Sequence, residues 1–265
     1  MKRLFLVVLF VFIGVGIAIA APAKEHVFEL GTDIYYHVYK EPDIMENKGM
    51  MYGVIGSYAY HKDIMFKVDG RFAYGPVDYS STLTGTMDKV DDYVIETRGL
   101  LGYDYKADDT FTITPYIGFG YRYLNDDSSD KTTSTGALGY ERESNYYYSP
   151  VGLELAKRLD GGWSIGAIFE YDIFWQGQQK SKLSGAVASF SDIKNDQDEG
   201  YGVRGSVKIA KETEKLNIIL EPFVRYWNVK QSKSSDLTYN GVIIGYGYEP
   251  KNNTTEYGAD LSVQF

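Results

Sequence analysis

Charged side chains occupy alternate positions in many segments of this chain, opposite a face of aromatic and aliphatic residues. In residues 163–176, for example, Glu170 and Asp172 alternate with Phe169, Tyr171 and Ile173. Acids and bases recur together, and facing charges of both signs can pair and fill a narrow interior. The predicted network comprises Asp33, His37, Asp69, Arg71, Glu96, Arg98, Arg122, Glu154, Glu170, Asp172, Arg204, Glu221, Arg225 and Asp260.

The preferred interpretation is a salt-bridged plug, in which these charges cancel one another. The alternative is that the same residues line a small gated pore or bind a ligand near its mouth. A third use would be acid–base catalysis, with His37 facing Asp172 across the interior and activating a water molecule. His37 has no adjacent Asp motif, however, so we expect a hydrogen-bonded interior residue. We predict no catalytic residue, no metal ligand and no cofactor.

The elements that must position these charges are strands. After Ala23 the sequence shows apolar and polar residues in alternation, which is the period of a strand with two different faces. No helical periodicity and no compositional step that would mark a second domain occur in this part. We predict strands at 26–40, 49–60, 63–75, 92–105, 110–124, 146–158, 163–176, 200–210, 215–230 and 254–265. Splitting or merging a segment would give eight or twelve strands instead of ten.

The predicted connections alternate in length. Tight, charged or Asp-Gly turns lie at 61–62, 106–109, 159–162 and 211–214. The other connections, at 41–48, 76–91, 125–145, 177–199 and 231–253, are longer and polar. One end of the predicted sheet therefore carries four tight turns and the other end carries five loops. This sorting predicts an all-β, antiparallel, up-and-down barrel.

The N-terminus differs from the rest of the chain. Lys2 and Arg3 precede an apolar and glycine run that ends at Ala20, which is the pattern of a secretory signal peptide. We therefore predict a signal peptide over 1–20, cleaved on export, and a barrel over 21–265. A net charge of -9, which becomes more negative without Lys2 and Arg3, argues against nucleic acid as a partner. The chain has no Cys, so no disulfide framework stabilises it.

Together, the leader, the amphipathic strands and the sorted loops resemble the outer-membrane β-barrel proteins of Gram-negative bacteria, the small single-chain, porin-like class. The resemblance covers nearly all of the chain after residue 20 and identifies no single family. It implies a location in the bacterial outer membrane, with tight turns on the periplasmic side and long loops outside. It also implies outer-membrane lipid and lipopolysaccharide as surroundings.

The last residues carry a further part of this resemblance. Tyr257, Leu261, Val263 and Phe265 share one face of the final strand, and the printed chain ends on an aromatic residue. This pattern is similar to the C-terminal signal by which the barrel-assembly machinery recognises the class. We therefore expect the final strand to close the barrel and to be recognised during insertion.

Omptin proteases also have ten strands, with an Asp pair and an Asp–His pair at the rim of the barrel. This chain departs from that pattern, because His26 lies near the leader and His61 lies in a predicted periplasmic turn. We predict instead a structural or adhesin-like surface role through the extracellular loops, for which the sequence names no ligand. The alternative function is a narrow channel for ions or small solutes, and an omptin-like enzyme is the third.

Overall fold

The computed structural model of the protein describes residues 25–265, and the predicted signal peptide lies outside them. None of the helices in the described part has the length and apolar character needed to cross a membrane. Ten long strands dominate this part: β1 His26–Glu41, β2 Met45–His61, β3 Ile64–Ser81, β4 Gly85–Tyr103, β5 Phe111–Asp127, β6 Glu141–Arg158, β7 Trp163–Ser181, β8 Gly200–Glu212, β9 Asn217–Val229 and β10 Asn252–Gln264.

Each strand pairs antiparallel with the next along the chain, and β10 pairs with both β9 and β1. At the seam, the N–H of Phe265 donates to the carbonyl of Phe28 (2.9 Å) and the N–H of Phe28 donates back to Phe265 (3.0 Å). The ring of strands is therefore closed, so backbone groups at lipid depth have partners within the sheet. The predicted ten-stranded up-and-down barrel is confirmed.

The outer face of the barrel is apolar, and aromatic residues border it at its lower end and at its upper end. At the lower end, Phe28 stacks on Phe265 with ring centroids 6.0 Å apart. An upper belt of tyrosines includes the neighbouring pairs Tyr36–Tyr257, Tyr93–Tyr123, Tyr121–Tyr147 and Tyr171–Tyr201. Amphipathic rings of this kind sit at membrane interfaces. The membrane-spanning wall lies between the two levels.

Several strands continue above the upper belt, and here the bounds differ from those the sequence suggested. The β1–β2 connection is a turn at 42–44 and the β3–β4 connection is a turn at 82–84, where longer loops were expected. Above the membrane the outer face of a hairpin contacts water instead of lipid, so the outer positions no longer need apolar residues. The apolar alternation therefore stops, while the backbone ladder continues from Tyr79↔Met87 to Ser81↔Gly85.

The two largest upper connections have structure of their own. The β7–β8 connection contains a short helix, Leu183–Ala186, and a strand, Ile193–Gln197, that pairs with β7. The β9–β10 connection contains a separate hairpin, Ser235–Tyr239 and Val242–Gly247. Elsewhere a two-residue strand, Tyr105–Lys106, pairs with β5, and one 3-10 turn, Asp160–Gly162, joins β6 to β7.

Candidate functional site: the barrel lumen

The predicted charged residues lie on the inner wall because residues two apart in a strand share a face. Their aromatic neighbours in sequence take the outer face. Phe169, for instance, is 61% exposed, whereas the adjacent Glu170 is 6% exposed. The lumen contains three levels: a central layer within the membrane, an upper cluster above the belt and a cavity below the central layer.

Glu256 on β10 is the hub of the central layer and is fully buried. One carboxylate oxygen accepts from Arg122 Nη2 and the other from Arg71 Nη2, each at 2.8 Å. His37 Nδ1 lies 3.5 Å from the same carboxylate. Arg122 stands on β5, the strand farthest from β10 around a ring of ten, so this ion pair crosses the whole lumen.

Glu96 on β4 forms a second hub. It accepts from Arg71 Nε at 2.8 Å and from Arg204 Nη1 at 3.0 Å, and the Tyr148 hydroxyl donates to it at 2.6 Å. Arg204 also donates to Asp172 at 2.8 Å. Since Arg71 contacts both hubs, the walls formed by β3, β4, β8 and β10 are joined in one network.

The remaining central charges extend this network towards the periplasmic side. Arg98 donates to both oxygens of Asp69, at 2.8 and 3.0 Å, and to Glu170 at 2.8 Å. Arg225 lies 3.4 Å from Asp33 and 3.6 Å from Asp260. Bidentate arginine contacts fix geometry as well as charge.

Aromatic side chains fill the space beside these arginines. Trp227 is almost completely buried, and its ring lies 4.9 Å from the ring of Tyr148. The guanidinium carbons of Arg122 and Arg204 lie 6.0 and 5.6 Å from the Trp227 ring. These rings pack against the charges at the centre of the lumen.

Small residues in the wall make room for those rings. A Cβ added at Gly120 would lie 2.3 Å from Cζ of Tyr148, and one at Gly152 would lie 2.3 Å from Cζ of Tyr116. The two tyrosine rings therefore lie against bare backbone on the neighbouring strand. From these positions their hydroxyls donate to Glu96 and Glu170.

The upper cluster was not predicted from the sequence. Arg142 on β6 pairs with Glu41 on β1 (2.5 Å) and with Glu249 of the β9–β10 connection (2.7 Å), and the Tyr39 hydroxyl also donates to Glu249 at 2.7 Å. On another side of this level, Asn47 donates to Asp126.

This cluster lies outside the membrane and is rich in carboxylates. Burial raises the pKa of Glu249 to about 7, against the opposing charge of Arg142. Burial likewise raises the pKa of Asp126 to about 6 and that of Asp92 well above its usual range. Asp92 and Asp126 are directly opposite on β4 and β5. No local alternation marks them, and only counting in steps of two from Glu96 and Arg122 places them on the inner face.

Below the central layer lies a cavity of about 120 Å³. Of the predicted network, Glu154 and Glu221 lie here, and Lys208 pairs with Glu29 at 2.9 Å. Glu221 accepts from Ser206 at 2.6 Å. Charged and apolar side chains share its walls, and it ends beneath the arginines of the central layer.

The geometry does not bring His37 to Asp172. His37 contacts Glu256, and Asp172 pairs with Arg204. Within residues 25–265, no group of three or more His, Cys, Asp or Glu side chains is arranged to hold a metal ion. The arrangement pairs and buries charge across the lumen.

On the outer wall, Tyr257, Leu261 and Phe265 face lipid, and Val263 is half-buried beside them.

No curated protein matches the sequence. Among solved structures, the fold resembles the outer-membrane protease OmpT from Escherichia coli, with a TM-score of 0.58, 10% identity and coverage of 91% of this chain and 97% of that one. The translocator domain of the autotransporter NalP from Neisseria meningitidis gives 0.46 at 10% identity, covering 92% and 89%. The toluene transporter TodX from Pseudomonas putida gives 0.37 at 11%, covering 92% and 90%.

At these identities the structural likeness concerns the fold alone. The sequence itself matches a family model, that of the autotransporter beta-domain, over residues 45–206. The match extends from the start of β2 into β8 and covers more than half of the chain. The chain belongs to the autotransporter beta-domain family.

Proposed function

We propose that the protein is a closed outer-membrane barrel that does not conduct and that uses its upper loops as a contact surface. The observation that carries the first part is the Arg122–Glu256 ion pair, which joins opposite walls and is fully buried. Ions could pass only if this pair, or the Arg71–Glu96 pair beside it, separated. Breaking a buried pair leaves an uncompensated charge and costs about 3–5 kcal/mol.

The contact role is supported by how the two largest upper connections are held together. Asn195 donates to the carbonyls of Lys233 and Gly247, each at 3.0 Å, and Lys233 N donates to Asp196 O at 3.0 Å. We call residues 182–199 and 230–251 the joined loops. Loops with fixed mutual hydrogen bonds present one defined surface, which suits binding more than a set of independent loops does.

The runner-up function, a narrow channel, is favoured by the cavity beneath the central layer, and a single measurement separates the two. The refolded barrel is placed in a planar bilayer, after heat-modifiable migration on a gel has shown that it is folded. A closed lumen gives a silent membrane. Discrete ion steps from the folded wild-type protein would contradict the closed-lumen proposal.

The same experiment includes a variant that should open the lumen. Replacing Arg71 and Arg225 with Ala removes two central cations and frees space, so we expect conductance to appear. A matched variant, Lys40→Ala with Lys48→Ala, removes two cations from the outer face, where they pair with Glu46. This control should remain silent. A folded central double variant with wild-type stability and no conductance would contradict the plug.

The contact role is tested separately, on whole cells. Escherichia coli cells displaying the wild-type barrel are compared with cells displaying a variant in which a Gly-Ser turn replaces residues 231–250. Attachment to epithelial monolayers and to polystyrene is then measured. Equal attachment by both, at equal surface amounts of folded barrel, would contradict a contact role for the joined loops.

A further inference from the structure

The hairpin in the joined loops has one strand with an unpaired side. Its strands, Ser235–Tyr239 and Val242–Gly247, are connected through Asn240 and Gly241, both with positive φ, as a tight hairpin turn requires. The first strand is covered: Ser191 N donates to Thr238 O and Asn240 N donates to Ser189 O. Within the described residues, the backbone of Val242–Tyr246 has partners on the Ser235–Tyr239 side only.

Natural sheets protect such edges with charges, proline or a covering segment. Here no charged residue and no proline occurs from Leu237 to Tyr248. Val242, Ile244 and Tyr246 are 66%, 55% and 72% exposed. A bulge in the ladder leaves Ile244 without a directly opposite residue. The barrel strands differ, because closure gives them partners on both sides.

We propose that Val242–Gly247 binds an extended segment of a partner polypeptide, which adds to the hairpin as a third strand. This inference rests on the contact role proposed above and names its partner chemistry. Backbone hydrogen bonds would supply affinity, and the exposed apolar side chains would select apolar or aromatic residues at alternate positions of the partner.

Two arguments favour an extended partner segment over a second copy of this chain. A six-residue edge is about 20 Å long, whereas a stable interface between folded proteins buries about 800 Å² on each partner. The strand suits a peptide in length. Each copy also carries a net charge of -9, so association of two copies brings like charges together. The partner segment should therefore be neutral or basic.

The experiment uses the folded full-length barrel in detergent and a fluorescent peptide of alternating Val and Thr. Binding is followed by anisotropy, and amide hydrogen exchange locates the contact. We expect binding to slow exchange in residues 242–247 and to leave Ser235–Tyr239 unchanged. A peptide N-methylated at every residue cannot donate along either edge, so it should bind at least about tenfold more weakly.

Variants test the position. Ile244→Lys with Tyr246→Lys places charges on the free strand, as natural edges do, and should weaken binding about tenfold or more. The matched control, Leu83→Lys with Leu138→Lys, changes exposed apolar residues of other connections and should bind as the wild type does. Unchanged exchange in Ser235–Tyr239 shows that the lysine variant keeps its hairpin.

Three results would overturn the inference: no binding of the peptide, binding that the lysines on the free strand leave unchanged, and protection elsewhere on the barrel. Dimerisation of the barrel that those lysines abolish would also overturn it, since the occupant would then be a second copy. None of these results depends on cell attachment or on conductance. The contact role and the closed lumen are therefore tested independently of this strand.

Discussion

The central layer and the upper cluster are both buried and both built on arginine, yet they differ in charge balance. In the central layer, Arg71, Arg98, Arg122, Arg204 and Arg225 face carboxylates from most of the wall. In the upper cluster, Arg142 pairs with both Glu41 and Glu249, while Asp92 and Asp126 lie close by without an ion pair in the described structure.

The difference follows the position of the membrane. Within the bilayer, lipid surrounds the barrel, so water cannot reach a central charge through the wall. Each charge therefore needs a partner inside the barrel. Above the belt, excess carboxylates can be neutralised by protons. The raised pKa values of Glu249 and Asp126 indicate this solution. The central layer should therefore be sensitive to truncation, and the upper cluster to pH.

The largest expected effect comes from the central hub. Glu256→Ala leaves Arg71 and Arg122 without their shared carboxylate, so the free energy of unfolding should fall by about 3–5 kcal/mol. Urea unfolding of the refolded barrel, followed by tryptophan fluorescence and by gel migration, measures this. The control is Glu46→Ala, which removes a carboxylate paired with two half-exposed lysines.

For that surface variant we expect a change of about 0–1 kcal/mol. Equal losses for Glu256→Ala and Glu46→Ala would contradict the view that the central layer stabilises the barrel more than surface pairs do.

A smaller effect tests whether central charges depend on the packing around them. Gly120→Ala puts a methyl group against the Tyr148 ring, which is buried and bonded to Glu96. Overpacking of this kind costs about 1–3 kcal/mol. Gly99→Ala is the matched control, because a Cβ there meets nothing within 4 Å. The same unfolding experiment should separate the two. A neutral Gly120→Ala would show that Tyr148 can move without disturbing Glu96.

The sequence predicts the parts of the fold that lipid imposes. Between the belts the outer positions are mostly apolar because that face meets hydrocarbon, so Phe169 and Glu170 can be assigned to opposite faces without a structure. The inward positions of Arg71, Arg122 and Asp172 follow from the same rule.

What the sequence does not predict is which inward charges meet. Arg122 and Glu256 are 134 residues apart, and their contact depends on ring closure and side-chain reach, not on local spacing. The pairing of His37 with Glu256 instead of Asp172 has the same origin. The upper cluster was missed for another reason: above the membrane the outer face becomes polar, and the alternation that locates Glu41 and Arg142 is lost.

The smallest expected effect is a change in how the free energy of unfolding depends on pH, and it comes from the upper cluster. A folded-state pKa of about 7 for Glu249 lies above its ordinary value of 4.5, so the folded protein binds more protons than the unfolded chain between these values. The free energy of unfolding should therefore fall as pH rises from about 4.5 to about 7. Glu249→Gln keeps an acceptor for Arg142 and Tyr39 without the charge, so this slope should flatten and stability at pH 8 should rise by about 1–2 kcal/mol.

The matched control for this variant is Glu199→Gln, in the other of the joined loops. Glu199 forms an exposed pair with Lys230, so the pH dependence should match that of the wild type. Urea unfolding at several pH values supplies the slopes. A slope that Glu249→Gln leaves intact would assign the pH dependence to other buried carboxylates. A wild-type slope of the opposite sign would mean that Arg142 outweighs burial, and the upper cluster would then behave like the central layer.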